Sequence, residues 1–372
     1  MSKHKTVIEE KLLWVSLGRI SGIGSQTYCQ LLKAFGSPES IYATHPKQLR
    51  DIVSERIASE ITRGHDVDTL EQTRLWLSQD NNHLVTLADP EYPKSLLEIA
   101  DPPPFLYTKG NLSLLNQPSI AIVGSRNASA QGEKNAEAFA ADLCAYGLCI
   151  VSGLALGIDG AAHRGALRVN GATIAVVGTG LDIVYPAKHR DLAHQIAQNG
   201  LIISEFDLGT PSKPQNFPKR NRIISGLSLG CLVVEANLHS GSQITARLAT
   251  EQGREVFAIP GSIHSPMSKG CHQLIKQGAK LVDCLQDIVE ELNLSHTPQS
   301  HLLSGTDINS ANQVENAAGN IILTTMGYDP ITLDHLVALS GLTVSEVSSM
   351  LMLLELEGKI ASLTGGQYQK IM

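Results

Sequence analysis

The stretch I-A-I-V-G-S-R-N-A-S, residues 120–129, shows the pattern that decides the fold: a short apolar run ends in a turn of small and polar residues. Apolar runs of the same kind recur at 149–151, 174–177, 201–203, 231–234 and 256–259, and helix-like segments separate them. Continuous Val- and Ile-rich runs are typical of strands covered on both faces, and helical connections favour parallel pairing. The sequence therefore predicts an α/β protein with a doubly wound parallel sheet.

The turns after these strands are rich in small residues, as in segments 124–129, 152–160, 178–182 and 240–247. In an open parallel sheet such turns lie at the carboxyl ends of the strands, where ligands bind beside the point at which the strand order reverses. Glycine lets the backbone approach an anion, and the helix that follows directs unpaired amides toward it. We therefore expect the four turns to converge on one phosphate site. Its candidate residues are Gly124, Ser125, Gly178, Gly180, Ser240, Gly241 and Ser242.

A basic segment, K-P-Q-N-F-P-K-R-N-R-I-I-S-G-L at 213–227, stands out in a chain whose formal net charge is -7. Lys219, Arg220 and Arg222 fall within four positions, and no acidic residue occurs from 208 to 234. Such a segment is either a solvated helix face or the place where a phosphate-rich partner binds. Its combination with the small-residue turns favours the second interpretation.

The 372 residues are enough for two or three domains. Helical periodicity predicts a helical domain over 1–80, and the turn I-S-G-I-G-S at 20–25 is typical either of SAM-like and helix-hairpin-helix nucleic-acid modules or of a plain packing domain. The sheet domain is predicted over 81–291. Two further short strands are expected before its parallel part, at 83–87 and 102–110.

A polar stretch at 292–318 is predicted to be a linker, and segment 319–372 recovers helical periodicity. Its helix-turn-helix pattern followed by a Gly-Gly hairpin predicts a winged helix. Winged helices often read duplex DNA, but 331–358 holds acidic residues and no Lys or Arg. Because an acidic recognition helix would be repelled by the major groove, we favour a protein-contact role over DNA reading.

Composition narrows the chemistry further. The six cysteines are scattered without metal-binding spacing, and neither a signal peptide nor a membrane-length apolar run is evident, so we expect reduced thiols, no metal, no membrane association and a cytoplasmic location. Asp159 and His163 stand four positions apart, which would suit either an acid-base or metal pair or a helix cap and a packed histidine; we favour the structural interpretation. No other catalytic constellation and no cofactor motif stands out.

The motifs resemble, in order and spacing, the signature of the DprA (Smf) DNA-processing family over about 84–285. The residues that carry this resemblance are A-I-V-G-S-R (121–126), S-G-L-A-L-G-I-D-G-A-A-H (152–163), G-T-G-L-D-I-V-Y-P (178–186), F-P-K-R-N-R-I-I-S-G-L-S (217–228), V-V-E-A (233–236), S-G-S-Q-I-T-A-R-L-A (240–249) and G-R-E-V-F-A-I-P-G (253–261). The resemblance implies an extended Rossmann-like domain without known catalysis. It also implies a cytoplasmic, homodimeric protein that binds and protects single-stranded DNA and helps to load the RecA recombinase, notably in natural transformation.

Carried onto this sequence, the resemblance implies that DNA phosphates meet Ser125, Arg126, Lys219, Arg220, Asn221 and Arg222. Guanidinium groups suit this role because their planar forks hold phosphate oxygens bidentately. Asn221 would either cap the helix or donate to a phosphate, and Phe217 would either stack on a base or anchor the core. Aromatic residues make up only 4% of the chain, which favours backbone contacts over an extended stacking platform.

An alternative function is nucleotide processing, because the superfamily resembles phosphoribohydrolases that cleave nucleoside monophosphates in an equivalent crevice. Those enzymes carry a P-G-G-x-G-T-x-x-E loop that supplies an acid. The nearest segment here, I-P-G-S-I-H at 259–264, lacks the tandem glycine and the glutamate. We therefore expect a protein that is not an enzyme.

Overall fold

The computed structural model describes residues 2–64, 70–294, 322–323 and 325–371. The predicted linker lies largely outside these residues, as do a few residues of the predicted segment 319–372. The N-terminal helices are α1 (Ser2–Arg19), α2 (Ser25–Phe35), α3 (Pro38–Ala43), α4 (Pro46–Leu49), α5 (Glu55–Arg63) and α6 (Glu71–Leu77). The predicted turn at 20–25 does separate α1 from α2, and Gly22 there has a φ of 100° that favours glycine.

The sheet domain then alternates strands and helices. Its strands are β1 (Asn82–Thr86), β2 (Phe105–Gly110), β3 (Ser119–Val123), β4 (Cys149–Ser152), β5 (Thr173–Val176), β6 (Leu201–Ser204), β7 (Gly230–Val233), β8 (Glu255–Ala258) and β9 (Lys280–Leu281). Its helices are α7 (Lys94–Leu97), α8 (Ala130–Ala145), α9 (Ile158–Arg168), α10 (Arg190–Asn199), α11 (Asn216–Leu227), α12 (Gly241–Glu251), α13 (Lys269–Lys276) and α14 (Leu285–Glu291). The six parallel strands predicted from apolar runs are confirmed to within one residue at each end.

The nine strands of this domain form one sheet in the order β1-β2-β6-β5-β4-β3-β7-β8-β9. Across the sheet, every neighbouring pair in the series β6-β5-β4-β3-β7-β8-β9 is parallel. The pairs β1 with β2 and β2 with β6 are antiparallel. The chain winds from β3 outward to β6 and then returns to place β7 on the other side of β3. The predicted doubly wound α/β sheet is therefore confirmed, with an antiparallel extension at one edge.

Burial explains the continuous apolar runs of the parallel strands. The residues of β3, β4, β5, β6 and β7 are buried throughout, because helices cover both faces of the sheet. The core of the N-terminal helices is continuous with the antiparallel edge: Trp76 packs edge-on against Tyr107 of β2, with 5.7 Å between ring centroids. The helical segment and the sheet thus share apolar surface across the boundary predicted at residue 80.

The C-terminal part has β10 (Ile331–Thr332), α15 (Leu333–Ser340), α16 (Val344–Leu356), β11 (Ile360–Leu363) and β12 (Gln367–Lys370). These strands form a three-stranded sheet in the order β10-β12-β11, and the β11–β12 hairpin turns through Gly365 and Gly366, both with positive φ. This is the predicted winged helix. Among the described helices none is by itself long and apolar enough to cross a membrane; α15 and α16 meet those two criteria only when joined across their 112° bend.

Candidate nucleic-acid interface

A crevice of about 520 Å³ opens where the strand order reverses, at the carboxyl ends of β3 and β7. It is bounded by the turn after β3, the first turn of α12 and one face of α11. Nine of the thirteen predicted site residues line it: Gly124, Ser125, Arg126, Phe217, Arg220, Asn221, Ser240, Gly241 and Ser242. The other four, Gly178, Gly180, Lys219 and Arg222, do not.

The turn after β3 is held in place by the start of α9. The amide of Ile158 donates to the Ser125 carbonyl at 3.1 Å, and a Cβ at position 157 would lie only 2.3 Å from that same oxygen. Gly157 also has a φ of 71°, which side chains rarely tolerate. Because glycine permits this contact, the backbone of Ser125 and Arg126 is fixed at the rim of the crevice.

Helices α8 and α12 both begin near the crevice, and they differ in what they offer an anion. At α8, the Glu235 carboxylate already accepts from the Ser129 amide at 2.9 Å and from the Ser129 hydroxyl. At α12, Ser240 is the N-cap residue, but its side chain makes no capping hydrogen bond to the helix. Its hydroxyl pairs instead with the Ser242 hydroxyl at 2.7 Å. The positive end of a helix attracts anions. The start of α12, rather than that of α8, is therefore suited to a phosphate.

Helix α11 divides the basic segment between two sides. Positions 217, 220, 221 and 224, which have the i, i+3, i+4, i+7 spacing of one helix face, line the crevice together with Pro218. Lys219 and Arg222 instead lie beside the buried carboxylate of Glu205, and Arg222 also pairs with Asp101 through Nε at 3.0 Å. The structure therefore does not bring the three cationic side chains of this segment together: Arg220 lies on the crevice face of α11, and Lys219 and Arg222 form ion pairs away from it.

Arg220 is buried at the floor of the crevice. It donates through Nη1 to the Val176 carbonyl, and a Cβ at position 153 would lie 2.1 Å from Nη1, so Gly153 makes room for the guanidinium. Burial lowers the pKa of Arg220 to about 10, and the nearby Asp159 carboxylate opposes this shift. The guanidinium therefore stays charged at neutral pH, and its Nε has no hydrogen-bond partner among the described residues.

Asp159 and His163 take the structural roles favoured above, with one difference. Asp159 accepts from the amides of Gly153 at 3.1 Å and Ala155 at 3.4 Å, so it braces the turn before α9 rather than capping the helix. His163 is fully buried with Nδ1 2.7 Å from the Thr173 hydroxyl. Since that hydroxyl donates to the Ile150 carbonyl, Nδ1 carries the proton and donates, and Nε2 is bare.

Gly178 and Gly180 are buried instead of lining the crevice: Gly178 lies beneath α11, and Gly180 lies against Asp207 and Leu208. Asn216 donates to the Gly178 carbonyl at 3.0 Å, and a Cβ at position 178 would meet the Phe217 ring at 3.1 Å. The expectation that all four turns converge on one site is therefore corrected for this turn, because α11 packs over it. Gly178 makes room for the helix, and Gly180 makes room for the backbone of Asp207 and Leu208.

The positions of Phe217 and Asn221 bear on the alternatives left open above, base stacking or core anchoring for Phe217 and helix capping or phosphate contact for Asn221. Phe217 lies between core and crevice: its half-buried ring contacts Gly178 below and carries the Arg126 guanidinium, with Cζ 5.3 Å from the ring centroid. Asn221 does not cap α11, which begins at Asn216; its amide donates to the Gly241 carbonyl at 3.4 Å and joins α11 to the start of α12. Both side chains shape the crevice wall.

Sequence reasoning missed Tyr185 and Asn237 as lining residues. Tyr185 lies in the turn between β5 and α10, its ring centroid 5.6 Å from that of Phe217. Its signal was the Y-P pair of a turn already singled out for its glycines. Asn237 follows β7, and only the return of the chain to the side of β3 brings it to the crevice.

One group of potential metal ligands occurs in the described chain, at Asp283, Cys284 and Asp287. Asp287 accepts from the amides of Asp283 at 3.0 Å and Cys284 at 3.4 Å. These bonds close the start of α14, so the cluster is explained as a helix cap.

Comparison with known proteins assigns the chain to a family. The family model described as DNA recombination-mediator protein A matches residues 83–293, and that of the DprA winged helix domain matches 310–366. Protein Smf of Escherichia coli K12 is 44% identical over 304 residues, covering 80% of each chain. Protein Smf of Synechocystis is 34% identical over 397 residues, covering 97% of this chain and 99% of that one.

Two solved structures are also similar. DprA from Streptococcus pneumoniae superposes with a TM-score of 0.68 at 40% identity, covering 74% of this chain and 96% of that one. DNA processing protein A from Helicobacter pylori, described for its single-stranded DNA binding mode, has a TM-score of 0.51 at 33% identity, covering 57% and 96%. With the sheet topology and the C-terminal winged helix, these matches show that the chain belongs to the DNA recombination-mediator protein A (DprA/Smf) family.

Proposed function

We propose that this protein binds single-stranded DNA in the crevice, without catalysis, through the sugar-phosphate backbone. The observation that carries the proposal is the exposed guanidinium of Arg126, which lines the same crevice as the uncapped start of α12. Among the described residues none forms an ion pair with Arg126, so its charge is available to a phosphate.

The proposed contacts come from Ser125, Arg126 and the first amides of α12, with Arg220 supplying positive charge from the floor. All of these recognise phosphate rather than base edges, so little sequence preference and a steep salt dependence follow. Lys219, Arg222, Gly178 and Gly180 leave the proposed contact set, because they lie away from the crevice.

The carboxylates near the crevice support a non-catalytic role. Asp159 is the one acid among its described lining residues, and it is occupied by two loop amides and by the charge of Arg220. A hydrolase that cleaves nucleoside monophosphates would need an acid free to act on the substrate. This observation favours strand binding over the nucleotide-processing alternative.

A mobility-shift assay with single-stranded, duplex and mononucleotide ligands at two salt concentrations tests the proposal. We expect tight, salt-sensitive binding of the single strand and weak binding of the mononucleotide. Equal affinity for duplex and single strand would contradict it. Release of free base from the mononucleotide by the pure protein would replace it with the enzymatic alternative.

We further propose that the protein acts in the cytoplasm as a homodimer that protects single strands and helps to load RecA during recombination, including natural transformation. The family resemblance supports this role. The open edge of the sheet at β9, where the Leu281 side chain is exposed, supports a second copy as a partner. Light scattering measures the dimer, and a RecA strand-exchange assay with strands coated by single-strand-binding protein measures loading. A monomer, or unchanged RecA activity, would contradict the respective part.

A further inference from the structure

We propose that the ring of Tyr185 stacks on a nucleobase at the mouth of the crevice, and that this contact lets the site distinguish single-stranded from duplex DNA. The proposal deepens the strand-binding function above and rests on it. It assigns a base-contacting role to a residue outside the set proposed above to contact phosphate.

Tyr185 is placed for such a contact. It is 44% exposed, although it lines the crevice and lies beside Phe217, with 5.6 Å between the ring centroids. Phe217 is half-buried and already carries the Arg126 guanidinium. Tyr185 is therefore the more exposed of the two rings, next to the cation that would hold the adjoining phosphate.

The rings of Phe217 and Tyr185 are held in place by the protein itself. Asn216 holds the start of α11 to the Gly178 carbonyl at 3.0 Å, and the close approach of Gly178 to Phe217 leaves that ring little room to move. Phe217 in turn supports Tyr185 from one side. A ring that is already ordered loses little conformational entropy when a base stacks on it, so more of the stacking energy appears as affinity.

Selectivity for single strands follows from the chemistry of the partner. Phosphates occur on single strands and duplexes alike, so the cations and helix amides of the crevice do not by themselves separate the two. The faces of bases in a duplex are covered by their neighbours, whereas bases in a single strand can turn out and stack on an aromatic side chain. An exposed ring beside the phosphate site supplies the missing discrimination.

The test compares a deoxythymidine oligonucleotide with an abasic oligonucleotide of the same length, by fluorescence anisotropy on the full chain. We expect Tyr185→Ala to lose about 5- to 150-fold in affinity for the thymidine strand, the range for one stacked base, and to bind the abasic strand as the wild type does. Tyr185→Phe should retain wild-type affinity, because stacking needs the ring and not the hydroxyl. Tyr328→Ala, an exposed tyrosine of the winged helix, is the matched control and should leave both affinities unchanged.

The possible results distinguish a failure of base stacking by Tyr185 from a failure of the proposed single-strand binding. If Tyr185→Ala loses affinity equally for both strands, the ring supports the fold and the proposal is overturned. It is also overturned if the wild type binds both strands equally and the variant does the same, although backbone binding would then stand. If the wild type binds neither strand, the strand-binding function itself fails.

Discussion

The guanidinium of Arg126 lies over the ring of Phe217, with Cζ 5.3 Å from the ring centroid. This links two elements far apart in the chain, the turn after β3 and the first turn of α11. A cation on an aromatic face keeps its charge while its orientation is restricted. Arg126 is thereby held at the crevice rim without an acidic partner among the described residues.

Replacing Arg126 with Ala should weaken single-strand binding and lower the slope of log affinity against log salt by about 0.7, since one phosphate contact is lost. Arg63→Ala is the control, because Arg63 is an exposed arginine of α5 that pairs with Glu60. Anisotropy titrations at several salt concentrations measure both. An unchanged slope for Arg126→Ala would remove Arg126 from the binding site.

Replacing Arg222 with Ala should destabilise the protein, by roughly 3–5 kcal/mol, because it leaves the buried Glu205 carboxylate without its main partner. The double variant Arg222→Met with Glu205→Gln should be less destabilised, since the unpaired charge is then gone. Denaturant unfolding compares the three proteins. At temperatures where Arg222→Ala is folded, its salt slope should equal that of the wild type; a reduced slope would return Arg222 to the contact set.

Gly157→Ala should lower both stability and DNA affinity. The backbone strain costs about 1–3 kcal/mol, and the new Cβ would press on the Ser125 carbonyl, which displaces the turn that carries Arg126. Gly147→Ala is the matched control, because Gly147 also has a positive φ but has open space around it. That variant should be strained without losing affinity. Equal affinity in the two variants would contradict the role given to Gly157.

His163 predicts a loss of stability in mild acid. Burial lowers the pKa of His163 to about 3 from an ordinary value of 6.5, so the folded state favours the neutral ring. The contribution of His163 to the free energy of unfolding is fully present above pH 6.5. It falls by about 1.4 kcal/mol for each pH unit below that value, down to about pH 3. Unfolding free energies at pH 7.5 and 5.5 measure this, and His163→Gln should show a shallower dependence. The same slope in both proteins would assign it to other groups.

Truncation after residue 294 should leave most of the single-strand affinity intact. The winged helix contributes no Lys or Arg between 331 and 358. The exposed apolar side chains of Met352, Leu353 and Leu356 suit contact with a protein partner better than contact with a phosphate. Anisotropy on the truncated and full-length proteins measures the difference. A large loss of affinity on truncation would give the winged helix a direct role in DNA binding.

The strand limits of the parallel sheet were predictable because a strand covered on both faces must be apolar throughout, and that requirement is written locally in the chain. Of the nine predicted residues that line the crevice, the six outside α11 were predictable for a related reason: turns after parallel strands share one edge, and their small residues are visible in the sequence. The i, i+3, i+4, i+7 spacing within α11 was also available, and would have separated Arg220 from Lys219 and Arg222.

The sequence by itself thus determined the parallel strands, the order of elements along the chain, the family and the edge of the sheet at which the crevice lies. Only the tertiary structure decided which charges remain available there. Glu205, Asp101 and Asp159 come from separate segments, and their partners depend on which face α11 turns toward each of them. Charge in a sequence is a local count, whereas the field at a site sums over neighbours that the fold brings together.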